Sequence, residues 1–381
     1  MVLQSEMAFR MLVRRHSCTL CYTPMLPAKA FISLPLNGPA IADTGGPATQ
    51  SAYFTTCKAD RPLLAQLGGS EPAEMLAAAL LIQDRVDGID VNFGCPQACA
   101  ATGNYGAFLL DQPDKARAIV ETLVAGLKVP VTAKIRIFPE LADTIAFAKM
   151  LEDAGCAAVA VHGRRREQRH HEGPADWGAI GAVKSALRIP VIANGNIRVK
   201  ADADRCIRET GVDCVMSAKA LLINPRLFGE SPTDRADIGR GVVGGDGDGG
   251  GCDGAVSAGG AKAGGESTTS DPAQSASSEP TGRPPRTARA EMALEYLECC
   301  KQWPDGALPR MMSDHLAELL EPDLGERFNA EEKKEVKAHR TTTRPAQFAS
   351  LVRRIQAHGA FYEESARQRT AKRTPPAVPV S

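Results

Sequence analysis

Residues 88–97 read GIDVNFGCPQ, a strand-like run that ends in a cysteine at the head of a long, glycine-bearing loop. Period two puts Asp90, Asn92 and Gly94 on one face and Ile89, Val91 and Phe93 on the other. Polar groups at the carboxyl end of an apolar strand cost free energy to bury without a purpose. The same parity recurs downstream. In VTAKIRI (131–137), Thr132, Lys134 and Arg136 alternate with Ala133, Ile135 and Ile137; in AAVAVHG (157–163), His162 is the last residue opposite Val159 and Val161; PVIANGN (190–196) ends in Asn194, Gly195 and Asn196. Successive strands that each end in a reactive or hydrogen-bonding group on the inward side predict the active face of a parallel β/α barrel, and therefore an enzyme.

Counting outward from that stretch, strand-like runs occur at 19–25, 61–67, 88–94, 131–137, 157–163, 190–196 and 213–220, with helical patterns at 71–84, 112–127, 142–155, 176–187 and 201–211 between them. Pro72 and Pro113 stand near helix starts and Gly126, Gly155 and Gly211 near helix ends, as start and stop chemistry requires. These make seven β/α units where a closed barrel has eight. The chain runs from Met1 straight into a helical pattern at 5–15, so the fold class expected is an α/β (β/α)8 TIM barrel whose first strand is missing or truncated. An open barrel would expose strand edges.

A chain of 381 residues, 43% hydrophobic, suits a globular protein of about two domains. No apolar run approaches the roughly 20 residues of a membrane span. Lys plus Arg and Asp plus Glu balance at 45 each, so net charge singles out no partner. Eleven cysteines, odd in number and scattered, indicate a reducing compartment. The one CxxC, Cys18 to Cys21, has no second pair at metal spacing, and no metal is expected. Arg10, Arg14 and Arg15 are compatible with a transit peptide; Met7, Met11 and Leu12 at helical spacing read instead as the inner face of a first barrel helix. The expected location is intracellular, cytoplasmic or nuclear, with an organellar address left open.

Beyond the barrel the composition changes. Thirteen of the 27 residues at 239–265 are glycine, followed by Ser/Thr/Pro-rich sequence, which cannot bury enough apolar area to offset its ordering entropy. The expected organisation is a barrel at 1–229, a Gly/Ser/Pro-rich disordered linker at 230–287, a small all-α domain at 288–362 and a basic disordered tail at 363–381. A smaller insert of similar composition falls at 34–50. Met292, Tyr296, Leu297 and Cys300 share one helical face. Between 337 and 373 there are nine Lys or Arg against two acidic residues, a polyanion-binding surface or an ordinary solvated face.

The motifs NFGCPQ, GNYGAFLL, AKIRI, VHGRRREQ and ANGNI, in that order, resemble those of the tRNA-dihydrouridine synthases, flavin-dependent barrel enzymes that reduce uridine in tRNA. The match covers Met1 to about Phe228. Within the family, CYTPML, DRPLLAQL and NFGCPQACAATGNYGAFL are most similar to the eukaryotic subgroup that modifies D-loop uridines 16 and 17. Residues 290–356, with EMALEYL and SDHL, resemble the helical tRNA-binding domain that follows the barrel. The resemblance implies FMN as cofactor, NADPH or NADH as electron donor, tRNA as substrate partner, no stable protein partner, and a monomer.

It also implies roles. Cys95 matches the proton donor; reducing uracil adds a hydride at C6 and a proton at C5, and a thiol with an ordinary pKa near 8.5 is mostly protonated at neutral pH. Asn92 matches the residue that holds the uracil edge, where an amide offers both donor and acceptor. Gln66, Lys134 and His162 match groups at the flavin; a cation there would stabilise the reduced anionic form. Asn194, Gly195, Asn196, Ala218 and Lys219 lie after strands seven and eight, where barrels place phosphate-binding amides. Arg164, Arg165 and Arg166 match a tRNA-facing loop. The proline-containing first-strand end that packs on the flavin is represented only by Met1 and Val2, Leu3 stands where an acidic residue usually follows, and Lys219 stands where glutamate is common. Two rival readings come from other classes. One is a small-molecule FMN barrel oxidoreductase, against which the basic helical region argues; the other is a non-catalytic tRNA-binding protein with a degenerate barrel, which a flavin absorbance spectrum would separate.

Overall fold

The computed structural model describes residues 4–34, 53–168, 172–229, 286–303 and 309–324, together with Ala349, Val352 and Arg353. Met1, Val2, the insert at 34–50 apart from Leu34, almost all of the expected linker and the basic tail lie outside the described residues.

The strands are β1 (Cys21–Tyr22), β2 (Leu26–Pro27), β3 (Leu63–Gly68), β4 (Gly88–Phe93), β5 (Val131–Arg136), β6 (Ala158–His162), β7 (Val191–Asn194) and β8 (Cys214–Met216). Every pairing is parallel, in the order β1–β3–β4–β5–β6–β7–β8, with β2 also on β3. β1 and β2 are two pieces of one strand position: Cys21 pairs with Leu63 and Leu26 with Leu67. The break falls at Pro24, which has no N–H to give the ladder. Seven strand positions alternate with helices in the manner of a TIM barrel, and no described pairing joins β8 to β1. The sequence count and the observed count agree.

Helices α1 (Met7–Arg15), α2 (Ala28–Ile32), α3 (Pro72–Leu80), α4 (Ala98–Thr102), α5 (Pro113–Gly126), α6 (Leu141–Asp153), α7 (Trp177–Ala186), α8 (Lys200–Thr210), α9 (Lys219–Ile223), α10 (Arg286–Gln302) and α11 (Pro309–Leu324) complete the architecture. Pro72 and Pro113 each sit in the first turn of their helix, where the lost N–H is one of the orphans anyway. Both faces of the sheet are covered, so β3 and β4 are buried along their whole length. Phe93 packs edge-on against Phe147 of α6 with ring centroids 6.1 Å apart. That contact fixes the odd residues of β4 on the helical layer and turns Asp90 and Asn92 into the barrel.

Seven of the nine residues of α1, Met7 to Val13, are buried. The Arg10 guanidinium is 2% exposed and donates to Asp60 at 2.9 and 2.7 Å, while Arg14 donates to the other Asp60 oxygen at 3.0 Å. Two of the three basic residues that resemble a transit peptide, Arg10 and Arg14, therefore hold α1 to the barrel in this structure, while Arg15 donates to Gln302 of the C-terminal region.

The far side of α1 is covered by the C-terminal helices, which form one compact unit with the barrel. Met292, Tyr296, Leu297 and Cys300 are all buried, as the helical periodicity predicts. At the centre, Tyr296 donates its hydroxyl to Glu6 Oε1 at 2.8 Å, His315 Nε2 meets Glu6 Oε2 at 2.7 Å, and the His315 ring stacks on Phe9 at 4.4 Å. Burial pushes the Glu6 carboxyl up, but its contacts with His315 and Tyr296 outweigh that and leave it below its ordinary 4.5. Removing one partner of a buried ion pair costs about 3–5 kcal/mol. His315→Ala is expected to lower the unfolding free energy measured by urea titration at pH 7 by that amount. Because the Glu6 value is depressed on folding, the pair's contribution is full above the ordinary carboxyl range and fades as pH falls through the folded value; the gap between variant and parent should close in acid.

Candidate active site

A cavity of about 510 Å³ opens at the carboxyl ends of the strands, within the usual 300–1,000 Å³ of small-molecule and cofactor sites. Gln66, Asn92, Cys95, Lys134, His162, Asn194 and Ala218 line it together. Their convergence follows from register: Gln66 lies opposite Asp90, Asn92 opposite Lys134, and His162 between Arg136 and Asn194.

Cys95 is the first half-exposed residue after the buried β4. Its backbone is held from two sides. The Asn92 side-chain oxygen Oδ1 accepts from the N–H groups of Gly94 at 3.0 Å and Cys95 at 2.9 Å, and Ala107 N–H donates to Cys95 O at 3.0 Å. A side chain at Gly106 would put its Cβ 2.6 Å from Cys95 O, and φ there is +66°. Glycine at 106 is thus what lets the GNYGAF loop close on the thiol.

Lys134 lines the cavity and has no hydrogen-bond partner among the described residues. Burial lowers its pKa to about 8, helped by Arg136 and opposed by Asp90 and Cys95. Burial likewise drops His162 to about 2, with Lys134, Arg136 and Arg164 adding to the effect. His162 is therefore neutral at any working pH. Arg164 Nη1 lies 3.2 Å from its Nε2; a guanidinium only donates, so Nε2 accepts and the ring proton sits on Nδ1. The Tyr22 hydroxyl, on the wall beside β1, is buried and also lacks a partner among the described residues.

Several site expectations are altered. Arg164 is not a surface arginine: it is 5% exposed, and its guanidinium donates to Gly173 O at 2.9 Å and Asn196 Oδ1 at 2.6 Å. Arg165 is exposed, while Arg166 pairs with Asp111 and lies over the Phe108 ring at 5.4 Å. Asn196, at φ +59°, spends its carbonyl oxygen on Arg164 and Ala175 N–H, so it pins loops and does not line the cavity. Gly195 is at φ +112°, where a Cβ would sit 2.6 Å from Ala175 Cβ. Asn194 donates to Met216 O at 2.9 Å, and Lys219 is exposed at the start of α9. Asn92 has already used both acceptor sites and one N–H, so it can offer a base one donor and no acceptor. Met1 and Val2 lie outside the described residues.

Arg136 escaped assignment from sequence. It is 8% exposed, and donates to Gly94 O at 2.9 Å and to the carbonyls of Arg165 and Gln168 at 2.8 and 3.0 Å. It clamps the thiol loop to the arginine loop. Its inward parity was legible; its partners, being backbone carbonyls of two loops, were not.

An unpartnered ammonium, amide groups on three strand ends and an apolar wall make a site that fits a planar, anion-forming ring such as a flavin. Among the described residues no group of three or more His, Cys, Asp or Glu could hold a metal, and no helix is long and apolar enough to cross a membrane. Cys18 and Cys21 lie with their sulfurs 3.8 Å apart, as free thiols.

Residues 1–240 match the family model described as dihydrouridine synthase. A tRNA-dihydrouridine(16/17) synthase-like protein, NAD(P)(+) type, from Rattus norvegicus is 47% identical over 234 residues, covering 61% of this chain and 51% of that protein. The tRNA-dihydrouridine(16/17) synthase of Saccharomyces cerevisiae is 41% identical over 61% of this chain and 54% of its own length. A tRNA-dihydrouridine(20a/20b) synthase-like protein of Homo sapiens is 37% identical over 60% and 68%. The match thus spans about half the length of the first two relatives.

Proposed function

The chain belongs to the dihydrouridine synthase family, and we propose that it reduces uridine in tRNA to 5,6-dihydrouridine with FMN as cofactor and NADPH as electron donor. The observation that carries this reading is the single cavity in which Cys95, Asn92 and the unpartnered Lys134 converge. When bound and reduced by NADPH, FMN would supply the hydride for C6 of the uracil ring. Gln66 and Lys134 would hold the flavin, and the positive charge of Lys134 would favour a ring that becomes anionic on reduction. Asn92 steadies the flipped base through its one free N–H, and the Cys95 thiol delivers its proton to C5. Neutral His162, with Nδ1–H and a donor on its other nitrogen, orients ring groups without titrating.

The D-loop uridines 16 and 17 are the proposed targets, supported by the higher identity to the 16/17 relatives than to the 20a/20b relative. Residues 1–229 would carry the chemistry, 288–362 and the tail at 363–381 would bind tRNA, and Arg165 and Arg166 would meet it at the cavity rim. A monomer suffices for this reading. The test is to incubate the purified protein with an unmodified tRNA transcript and NADPH, and to read the two-hydrogen mass gain in D-loop fragments. A yellow protein that reduces free uracil but not tRNA would favour a small-molecule reductase. Binding of tRNA without flavin absorbance or product would favour a non-catalytic binder.

A further inference from the structure

We infer that Asp90 is a positioning residue for Cys95: from the buried end of a relay of side chains it decides which way round the Gln66 and Asn92 amides stand, and so holds the thiol loop. The inference rests on the reading above, in which Cys95 delivers the proton.

The sense of the relay is set by what each end can do. The N–H groups of Gly94 and Cys95 only donate, so Asn92 must present its oxygen to them. Its Nδ2 is left to donate to Gln66 Oε1 at 2.8 Å. The Gln66 Nε2 must then donate in turn, and it does so to Asp90 Oδ2 at 2.8 Å. The last member has to accept, and an ionised carboxylate can do nothing else. Its second oxygen accepts from the Thr132 hydroxyl at 2.7 Å. Asp90 is 0% exposed, so water does not compete for it. Burial raises its pKa to about 6, restrained by the bonds from Gln66 and Thr132, which leaves the acceptor form in place at neutral pH.

The arrangement is built into the sheet, since Gln66, Asp90 and Thr132 are directly opposite one another across β3, β4 and β5. A group at position 90 that can donate as well as accept would remove the single sense. Reversed, the relay would turn the Asn92 amino group toward two backbone N–H groups and release the loop.

The test uses Asp90→Asn, which keeps size but adds donors, Gln66→Met, which cuts the relay without changing charge, and the double variant. Alkylation of Cys95 by iodoacetamide is followed by peptide mass spectrometry in the absence of tRNA and NADPH, with buried Cys156 as internal reporter of folding. Both single variants should alkylate Cys95 several-fold faster while Cys156 stays protected. Each should also lower the single-turnover rate of dihydrouridine formation by about 10- to 100-fold, the scale of a small misplacement of a reacting group. The double variant should lose no more than the worse single one, because one chain of bonds is broken only once. Multiplying losses, wild-type alkylation, or Cys156 reacting alongside Cys95 would each overturn the assignment. Wild-type protein that forms no dihydrouridine would sink the proposed function, while the alkylation rates would still report on the relay.

Discussion

Cys95→Ala should still bind tRNA and flavin but form dihydrouridine about 10²- to 10⁴-fold more slowly, the usual size of a general-acid contribution. The geometry makes this substitution a clean one. Cys95 is held by its backbone, through Asn92 Oδ1 and Ala107 N–H, so losing the sulfur leaves the loop where it is. The half-exposed thiol removes little buried area. Single-turnover measurements with pre-reduced protein isolate the protonation step from flavin reduction. Near-normal turnover of the variant would remove Cys95 from the proton-donor role and pass it to another proton-bearing group of the cavity, such as the Lys134 ammonium or the Tyr22 hydroxyl.

How much of this was readable from residues alone depends on the element. Strands β3 to β8 were legible because a parallel sheet buried on both faces still alternates: Phe93 must meet α6 while Asp90 and Asn92 turn inward. The same parity found Lys134 and His162. It could not assign Asp90 or Arg136, because their roles lie in partners brought by other strands and loops. Loops have no period, so three consecutive arginines looked alike; only Gly173 O and Asn196 Oδ1 draw Arg164 inward. The docking of α10 and α11 had a signal that went unused. In MAFRMLVRR, Ala8, Phe9 and Leu12 join Met7 and Met11 to make an apolar surface too wide for one neighbour, and the structure covers both sides of α1. A C-terminal region seated there through Tyr296, His315 and Glu6 is more than a tethered tail. Deleting residues 286–381 would bare that surface, so point substitutions on exposed basic residues are the sounder probe of tRNA binding.

The pH dependence of turnover should carry the mark of Lys134. Its ammonium is charged below about 8, and a positive charge aimed at a developing anion in a site shielded from water is worth about 2.7–4 kcal/mol, or 10²–10³ in rate. Activity should therefore hold through neutrality and fall as pH rises through about 8. On the acid side it should fall near 6, where Asp90 takes up its proton, gains a donor and no longer imposes a single sense on the relay. His162 adds no limb, having left the working range. The groups around Lys134 are Asp90 and Cys95, which favour its charge, and Arg136 and His162, of which Arg136 opposes it. One rival explains the alkaline limb equally well: thiols also lose their proton on the alkaline side, and the two groups can titrate as a pair. Lys134→Met separates them. If the ammonium sets the limb, the variant should lose 10²–10³ in rate, its alkaline limb should move or vanish, and the midpoint potential of its bound flavin should drop. The residual activity of Cys95→Ala should meanwhile keep a limb near 8. A limb that survives unchanged in Lys134→Met and disappears in Cys95→Ala would assign the titration to the thiol and leave Lys134 without an electrostatic role.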